Sequence, residues 1–351
     1  MRLKKIRLLH LFRTFTVFFL MSALFFPFLR VSGKQKNSYQ RMSCSGTVDY
    51  PPSSEPPSSV YPFWSDDSYW HKKIPTDAPL HSNSAQMVDW LITKDGHRNG
   101  HPFINYKLWT SLVYDVYESR PEVPVYQENY KIYHPNVPIP DGAQASTDSD
   151  HGLCIVDWYK RETWDFWNMR HTPGYVDGQY YEWIAGAGYC WSLDGSGVAA
   201  NGEYTVGGPS ICQTAGIIRD EEIEAGVINH PLICSLHTPK ANRKVYPPAA
   251  TADGQTYDTW AIPEGARIQL NPDLDLDSLG LSRTAKIIAK CMQDYGIVVK
   301  ESGGSWCIYA EHTLTAEWTE EIGMILDSIP AQWRIPDYSV FGAVEEDWNW
   351  P

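Results

Sequence analysis

The sequence predicts a mainly β protein: an antiparallel β-sandwich or jelly-roll-like body with a few peripheral helices. Three observations predict it. Between residues 101 and 270, short aromatic or β-branched runs recur, each bounded by Gly, Pro, Asn or Asp. Hydrophobic residues make up 43% of the chain, enough for a sizeable core. No strand–helix alternation runs through it, which argues against a doubly wound nucleotide-binding fold.

Residues 1–33 read as a signal peptide or signal anchor. Arg2, Lys4, Lys5, Arg7 and Arg13 precede an apolar run at 14–29, and Val31 and Gly33 offer small residues for cleavage. Pro27 and the short run favour cleavage, whereas the Phe and Leu content suits retention. Either outcome places the remainder outside the cytoplasm. Residues 34–60 read as a linker, because Pro51-Pro-Ser-Ser-Glu-Pro-Pro-Ser-Ser59 has nothing to bury. Residues 61–351 form a single extracytoplasmic β-rich domain.

Within it, Asn83 or Ser84 opens a helix with Met87, Val88 and Leu91 on one face and Gly96 at its end. Strands are expected at 108–117, 153–158, 163–169, 179–184, 189–193, 231–237 and 257–262. A short helix at 220–225 stops at Gly226. Ser282 caps a helix with Ala285, Ile288, Ala289 and Met292 on its inner face. Strands at 297–301 and 306–310 follow, then a last helix at 316–328. One phrase occurs twice: Ile139-Pro-Asp-Gly-Ala143 and Ile262-Pro-Glu-Gly-Ala266. Pro at the second turn position and Gly at the fourth make each a tight turn feeding a strand. The pair marks either matching corners of two sheets or a coincidence of composition.

Charge narrows the partners. The first forty-one residues hold nine Lys or Arg and no acid, which leaves 20 basic against 42 acidic residues beyond them. A body this acidic suits neither nucleic acid nor an anionic membrane, so membrane contact is confined to an uncleaved N-terminal segment. Neutral ligands fit better. Fifteen Trp and twenty-one Tyr supply platforms on which the apolar face of a sugar ring can stack. Seven Cys contain no C-x-x-C, and there is no H-E-x-x-H or His-x-His, so neither metal nor cofactor is expected. Cys291 and Cys307 read either as a disulfide pair or as buried free thiols. Alternating Asp at 273–277 lacks the Gly and Glu of a calcium loop, and no Gly-rich stretch continues as a phosphate loop.

The densest chemical segment is Asp148-Ser-Asp-His-Gly-Leu-Cys-Ile-Val-Asp157, followed by Glu162-Thr-Trp-Asp-Phe-Trp167. Strand periodicity groups His151 and Asp157 on one face, and a hairpin partner at 163–169 brings Asp165 beside them. Carboxyls and a His among tryptophans suit proton transfer on a stacked sugar. His151, Asp157, Asp165 and His230 are the expected acid–base residues, with Trp164 and Trp167 as stacking platforms. The same pattern also fits a hairpin with solvated turn acids and packed Trp.

Several phrases resemble a family of uncharacterised exported microbial proteins. They include Trp70-His-Lys-Lys-Ile-Pro-Thr-Asp-Ala-Pro79, Asp150-His-Gly-Leu-Cys-Ile-Val-Asp157, Arg219-Asp-Glu-Glu-Ile-Glu-Ala-Gly-Val-Ile-Asn-His230, Ile262-Pro-Glu-Gly-Ala-Arg267 and Tyr295-Gly-Ile-Val-Val299. The resemblance spans most of 62–312, implies an extracytoplasmic sandwich-like domain and assigns no catalytic residue. Two functions follow as expectations: hydrolase or lyase action on a neutral or weakly charged extracellular polysaccharide, and non-catalytic binding of a glycan or protein.

Overall fold

The computed structural model describes residues 63–95, 100–200, 203–241 and 245–341. The leader and linker lie outside them. The body is mainly β, with fourteen strands in three sheets and three α-helices among the described residues. In chain order they are α1 (Ser84–Lys94), β1 (Phe103–Asn105), β2 (Leu112–Val116), β3 (Val123–Gln127), β4 (Ile132–Val137), β5 (Leu153–Asp157), β6 (Glu162–Trp167), β7 (Arg170–Val176), β8 (Gln179–Ala185), β9 (Ala187–Ser192), α2 (Asp220–Ala225), β10 (Leu232–Leu236), β11 (Arg267–Leu270), α3 (Arg283–Asp294), β12 (Ile297–Ser302), β13 (Cys307–Tyr309) and β14 (Trp333–Arg334). No described helix is long and apolar enough to cross a membrane.

The large sheet runs β1-β13-β10-β12-β11-β14, and the two smaller ones run β2-β5-β6-β9 and β4-β3-β8-β7. Pairing is mixed: β1–β13, β10–β12, β2–β5 and β3–β8 are parallel, and the remaining strand pairs are antiparallel. Parallel neighbours need long connections, and β2–β5 and β3–β8 take theirs across other strands.

Three cores follow from the alternation of side chains along each strand. Leu153, Ile155, Trp164 and Phe166 of the β2-β5-β6-β9 sheet pack with Val125, Val137 and Trp183 of the β4-β3-β8-β7 sheet. From its other face, Val113, Cys154 and Val156 pack with Ile233 and Val298 of the large sheet, joined by Phe63, Trp64 and Trp70. The far face of the large sheet is covered by Met87 and Leu91 of α1 and Ile288 and Met292 of α3.

The stop of α2 and the start of α3 follow the predicted signals, the start of α1 does not, and Gly96, the expected end of α1, lies outside the described residues. Gly226 stops α2 at φ 87°, a left-handed conformation that glycine adopts without cost. The Ser282 hydroxyl accepts the Ala285 N–H at 3.2 Å and caps α3. Ser282→Ala should therefore cost about 1 kcal/mol, measurable by urea denaturation. At the start of α1, Asn83 makes no side-chain cap, and the Ser84 hydroxyl instead accepts the Ile335 N–H at 2.8 Å.

Two expected elements are absent. Residues 316–328 form turns rather than a helix. The Gly323 carbonyl accepts the Ile104 N–H at 2.9 Å beside β1, and a Cβ on Gly323 would stand 2.8 Å from the Phe103 ring. A tertiary hydrogen bond thus overrides the helical apolar spacing. Residues 257–262 form no strand, because Asp258 accepts the Trp260 N–H at 2.9 Å and bends the chain. Cys291 and Cys307 are buried free thiols, not a pair.

Candidate functional site

The hairpin of β5 and β6 forms, but its register separates the residues expected to share a pocket. Asp157 pairs with Glu162, and Cys154 pairs with Asp165. Asp157, Glu162 and Trp164 therefore share the face turned toward the β4-β3-β8-β7 sheet. Asp165 and Trp167 share the opposite face. Neither the two carboxyls nor the two tryptophans converge. His151 lies before the strand at φ 44°, outside the strand alternation.

Each expected residue has a definite place. The Asp157 carboxyl is buried and accepts the Lys160 N–H at 2.9 Å, closing the hairpin loop. Burial pushes it up to about 6, against backbone hydrogen bonds from Lys160 and Tyr159. Across from it, burial pushes Glu162 up to about 7. Trp164 is buried and stacks on Phe166 with centroids 6.0 Å apart, so it is a core residue rather than a platform. Asp165 is buried, and its Oδ2 accepts the Gln213 N–H at 2.7 Å. Burial raises its carboxyl, opposed by that hydrogen bond, the Cys212 and Cys154 thiols and the Lys300 charge. His230 enters the large sheet, a different layer. Its Nδ1 faces the Pro231 carbonyl at 2.9 Å and its Nε2 faces Glu222 Oε1 at 2.9 Å. With both ring nitrogens engaged, it braces α2 rather than meeting the hairpin.

What converges is the turn before β5. Asp148 Oδ2 accepts the Trp109 N–H at 2.7 Å, and its Oδ1 accepts the Asp150 N–H at 2.9 Å. The Asp150 carbonyl accepts the Asn168 N–H at 2.8 Å, and the His151 carbonyl accepts the Met169 N–H at 3.0 Å. The Ser146 carbonyl accepts from His151 Nδ1 at 2.9 Å, which fixes the orientation of the ring. Three non-glycine residues at this turn have positive φ: Trp109 at 53°, His151 at 44° and Asn168 at 53°. Each is a costly backbone state, and such states cluster where a surface is held in a set shape.

Two indoles stand exposed here, Trp109 at 53% and Trp167 at 40%. Trp167 lies over Gly186, where a Cβ would come within 2.7 Å of the ring. Burial raises the Asp150 carboxyl, and the charges of Asp148 and Glu301 add to it. A hydrogen bond from the Trp167 side chain and the Lys300 charge act against it. Lys300 is buried and bonds Glu301 Oε2 at 2.7 Å, and the Tyr309 hydroxyl donates to Glu301 Oε1 at 2.7 Å. Gly207 passes close by, with space for a Cβ only 3.4 Å from Glu301 Oε2. The arrangement offers two aromatic surfaces, a carboxyl that burial raises and a histidine ring beside it in the chain.

Sequence reasoning found the Asp148–Asp157 segment and Trp167. It missed Trp109, read as part of a strand, and Lys300, Glu301 and Tyr309, which carry no motif. Comparison of the chain with family models, curated proteins and solved structures found no match.

Proposed function

We propose that the protein acts on a neutral or weakly charged extracellular carbohydrate at the Trp109–Trp167 surface. The observation that carries this reading is the pair of exposed indoles tied through Asp148 and Asp150 to one strained turn. The apolar face of a pyranose stacks on such rings. Asp150, whose carboxyl burial raises, is the acid of the proposal, and His151, its neighbour in the same turn, is the base. Asp165 lies deeper, with Lys300, and keeps a charge-balancing role. The net charge of −13 supports a neutral ligand rather than a polyanion. Cys190 is disulfide-bonded, which supports a location outside the cytoplasm. The core shared by the two four-stranded sheets supports the sandwich reading for that part of the body.

A binding module without catalysis is the second reading. The exposed Tyr175 and Tyr180 on the β7–β8 hairpin, 5.4 Å apart edge to face, favour it. Both readings meet one experiment. The purified chain is incubated with a panel of cell-wall and extracellular polysaccharides, and retention, new reducing ends and unsaturated products are measured. Trp167→Ala should weaken retention about tenfold, the loss of one stacking contact. Asp150→Asn should abolish product while leaving retention in place. Retention without product supports the binding module, and retention unaffected by Trp167→Ala sinks the Trp109–Trp167 surface as the ligand face.

A further inference from the structure

Away from that surface, Arg219 is enclosed by acids from three elements. Its side chain is 8% exposed. Nε bonds Glu311 Oε2 at 2.8 Å, and Nη2 bonds Asp115 Oδ2 at 2.5 Å and Glu221 Oε1 at 3.1 Å. Asp220, Glu221 and Glu311 bring carboxylate oxygens within 4.8 Å of one another. Asp115 belongs to the edge strand β2, Asp220 and Glu221 to α2, and Glu311 to the segment after β13. Arg219 thus joins two sheets and a helix.

The surroundings add hydrogen bonds but no second cation among these contacts. The Trp158 indole donates to Asp115 Oδ1 at 2.7 Å. Asp220 Oδ2 accepts the Glu317 N–H at 2.7 Å, and the Trp318 indole donates to the Glu311 carbonyl at 2.9 Å. On the inner side of α2, Glu222 accepts the Arg219 N–H at 3.0 Å and meets His230. Tyr117 stacks on Trp158 with centroids 6.4 Å apart and faces the same acids. Four carboxyls (Asp115, Asp220, Glu221 and Glu311) surround one guanidinium, so full ionisation leaves the cluster three charges negative around the buried Arg219 and Glu311.

We propose that this cluster is a pH-sensitive clasp: it holds α2 and the large sheet against β2 in acidic surroundings and releases α2 as they turn alkaline. The acids respond as the geometry requires. Burial raises Glu311 to about 8, against the pull of Arg219, and the charges of Glu221, Asp115 and Asp220 raise it further. Partial desolvation raises Glu221 as well, to about 7, opposed by Arg219 and reinforced by Asp115, but its side chain is 53% exposed and water screens it, so Glu311 carries most of the effect. Both stand above the ordinary glutamate value of 4.5. The folded chain therefore holds protons that the unfolded chain releases. Their stabilisation is complete below the ordinary value and is lost as pH rises through 7 to 8. Glu311→Gln imitates the protonated form permanently.

The test uses the full chain. Thermal unfolding is followed from pH 5 to pH 9, and amide exchange of α2 is followed with the intrinsic pH dependence removed. The wild-type midpoint should fall across this range, and Glu311→Gln should fall less, by about 3 °C or more. Protection of the α2 amides should drop between pH 7 and 9 in the wild type and hold in Glu311→Gln. An identical pH slope in the two proteins, or α2 protection that ignores pH, overturns the proposal. If Glu311→Gln does not fold, Glu221→Gln decides: its partly exposed side chain tolerates the change, and an unshifted pH midpoint for α2 opening overturns the clasp.

Discussion

Arg267→Ala is expected to cost about 3–5 kcal/mol of stability, because it strands several buried acceptors at once. Arg267 is 1% exposed. Its Nη1 bonds the Lys72 carbonyl at 2.6 Å and the Tyr295 carbonyl at 3.1 Å. Nη2 bonds the Tyr69 carbonyl at 2.8 Å, and Nε bonds the Tyr69 hydroxyl at 2.9 Å. The guanidinium also lies against the adjacent Tyr69 and Phe341 rings, 4.2 and 4.3 Å from their centroids. One side chain therefore ties β11 to the segment entering the domain, to the C-terminal end of α3 and to Phe341. Burial lowers its pKa from the ordinary arginine value. An arginine keeps its charge when buried, and here carbonyls and ring faces take up that charge. Arg267→Lys should recover less than half of the loss, since one ammonium cannot reach carbonyls that diverge around a planar fork. Urea denaturation of the three proteins measures this. A loss below about 1 kcal/mol for Arg267→Ala would show that the carbonyls find other donors.

That residue was named in the sequence only as the end of a turn phrase. A buried cation has no periodicity, and its partners Tyr69, Lys72, Tyr295 and Phe341 are scattered over the chain. Strands with clear punctuation were legible: the β5–β6 hairpin, the β8 and β9 segments, and β10 and β12. So were the ends of α2 and α3. The grouping within the hairpin was not. A five-residue turn at 158–162 would pair odd positions with odd ones and place Asp165 beside Asp157. The observed connection has four residues, because Asp157 itself pairs with Glu162. An even connection pairs odd positions with even ones, so a single residue of turn length moves Asp165 and Trp167 to the other face. Hydrophobicity gave no warning, because β5 is buried on both faces. The surface at Trp109 was missed for a related reason. Its exposure depends on a left-handed backbone and on Asp148, 39 residues away.

The repeated Ile-Pro-acid-Gly-Ala phrase supplies a matched pair of glycines, and their alanine variants should differ by several kcal/mol. Both copies form the same turn. The Ala143 N–H bonds the Pro140 carbonyl at 3.0 Å, and the Ala266 N–H bonds the Pro263 carbonyl at 3.2 Å. Pro is thus the first turn residue and Gly the third, not the second and fourth. The third position carries the positive φ, 76° at Gly142 and 83° at Gly265. The copies belong to different layers, since Ile139 packs between the four-stranded sheets and Ile262 packs against the helices. An alanine pays the left-handed backbone cost at either site, about 1 kcal/mol. At Gly142 nothing stands within 4 Å of the new Cβ, so the cost ends there. At Gly265 the Cβ would stand 1.5 Å from the Tyr246 carbonyl oxygen. That contact is backbone on both sides. The Gly265 N–H bonds the Val299 carbonyl at 2.8 Å, and the Tyr246 N–H bonds the Glu264 carbonyl at 3.1 Å. Neither segment can yield without breaking its own hydrogen bond. Gly142→Ala should lower the melting midpoint by roughly 2–4 °C. Gly265→Ala should cost more than about 4 kcal/mol, or prevent folding. Equal losses at the two sites would mean that backbone conformation alone sets the cost and that the approach of Tyr246 to Gly265 contributes nothing.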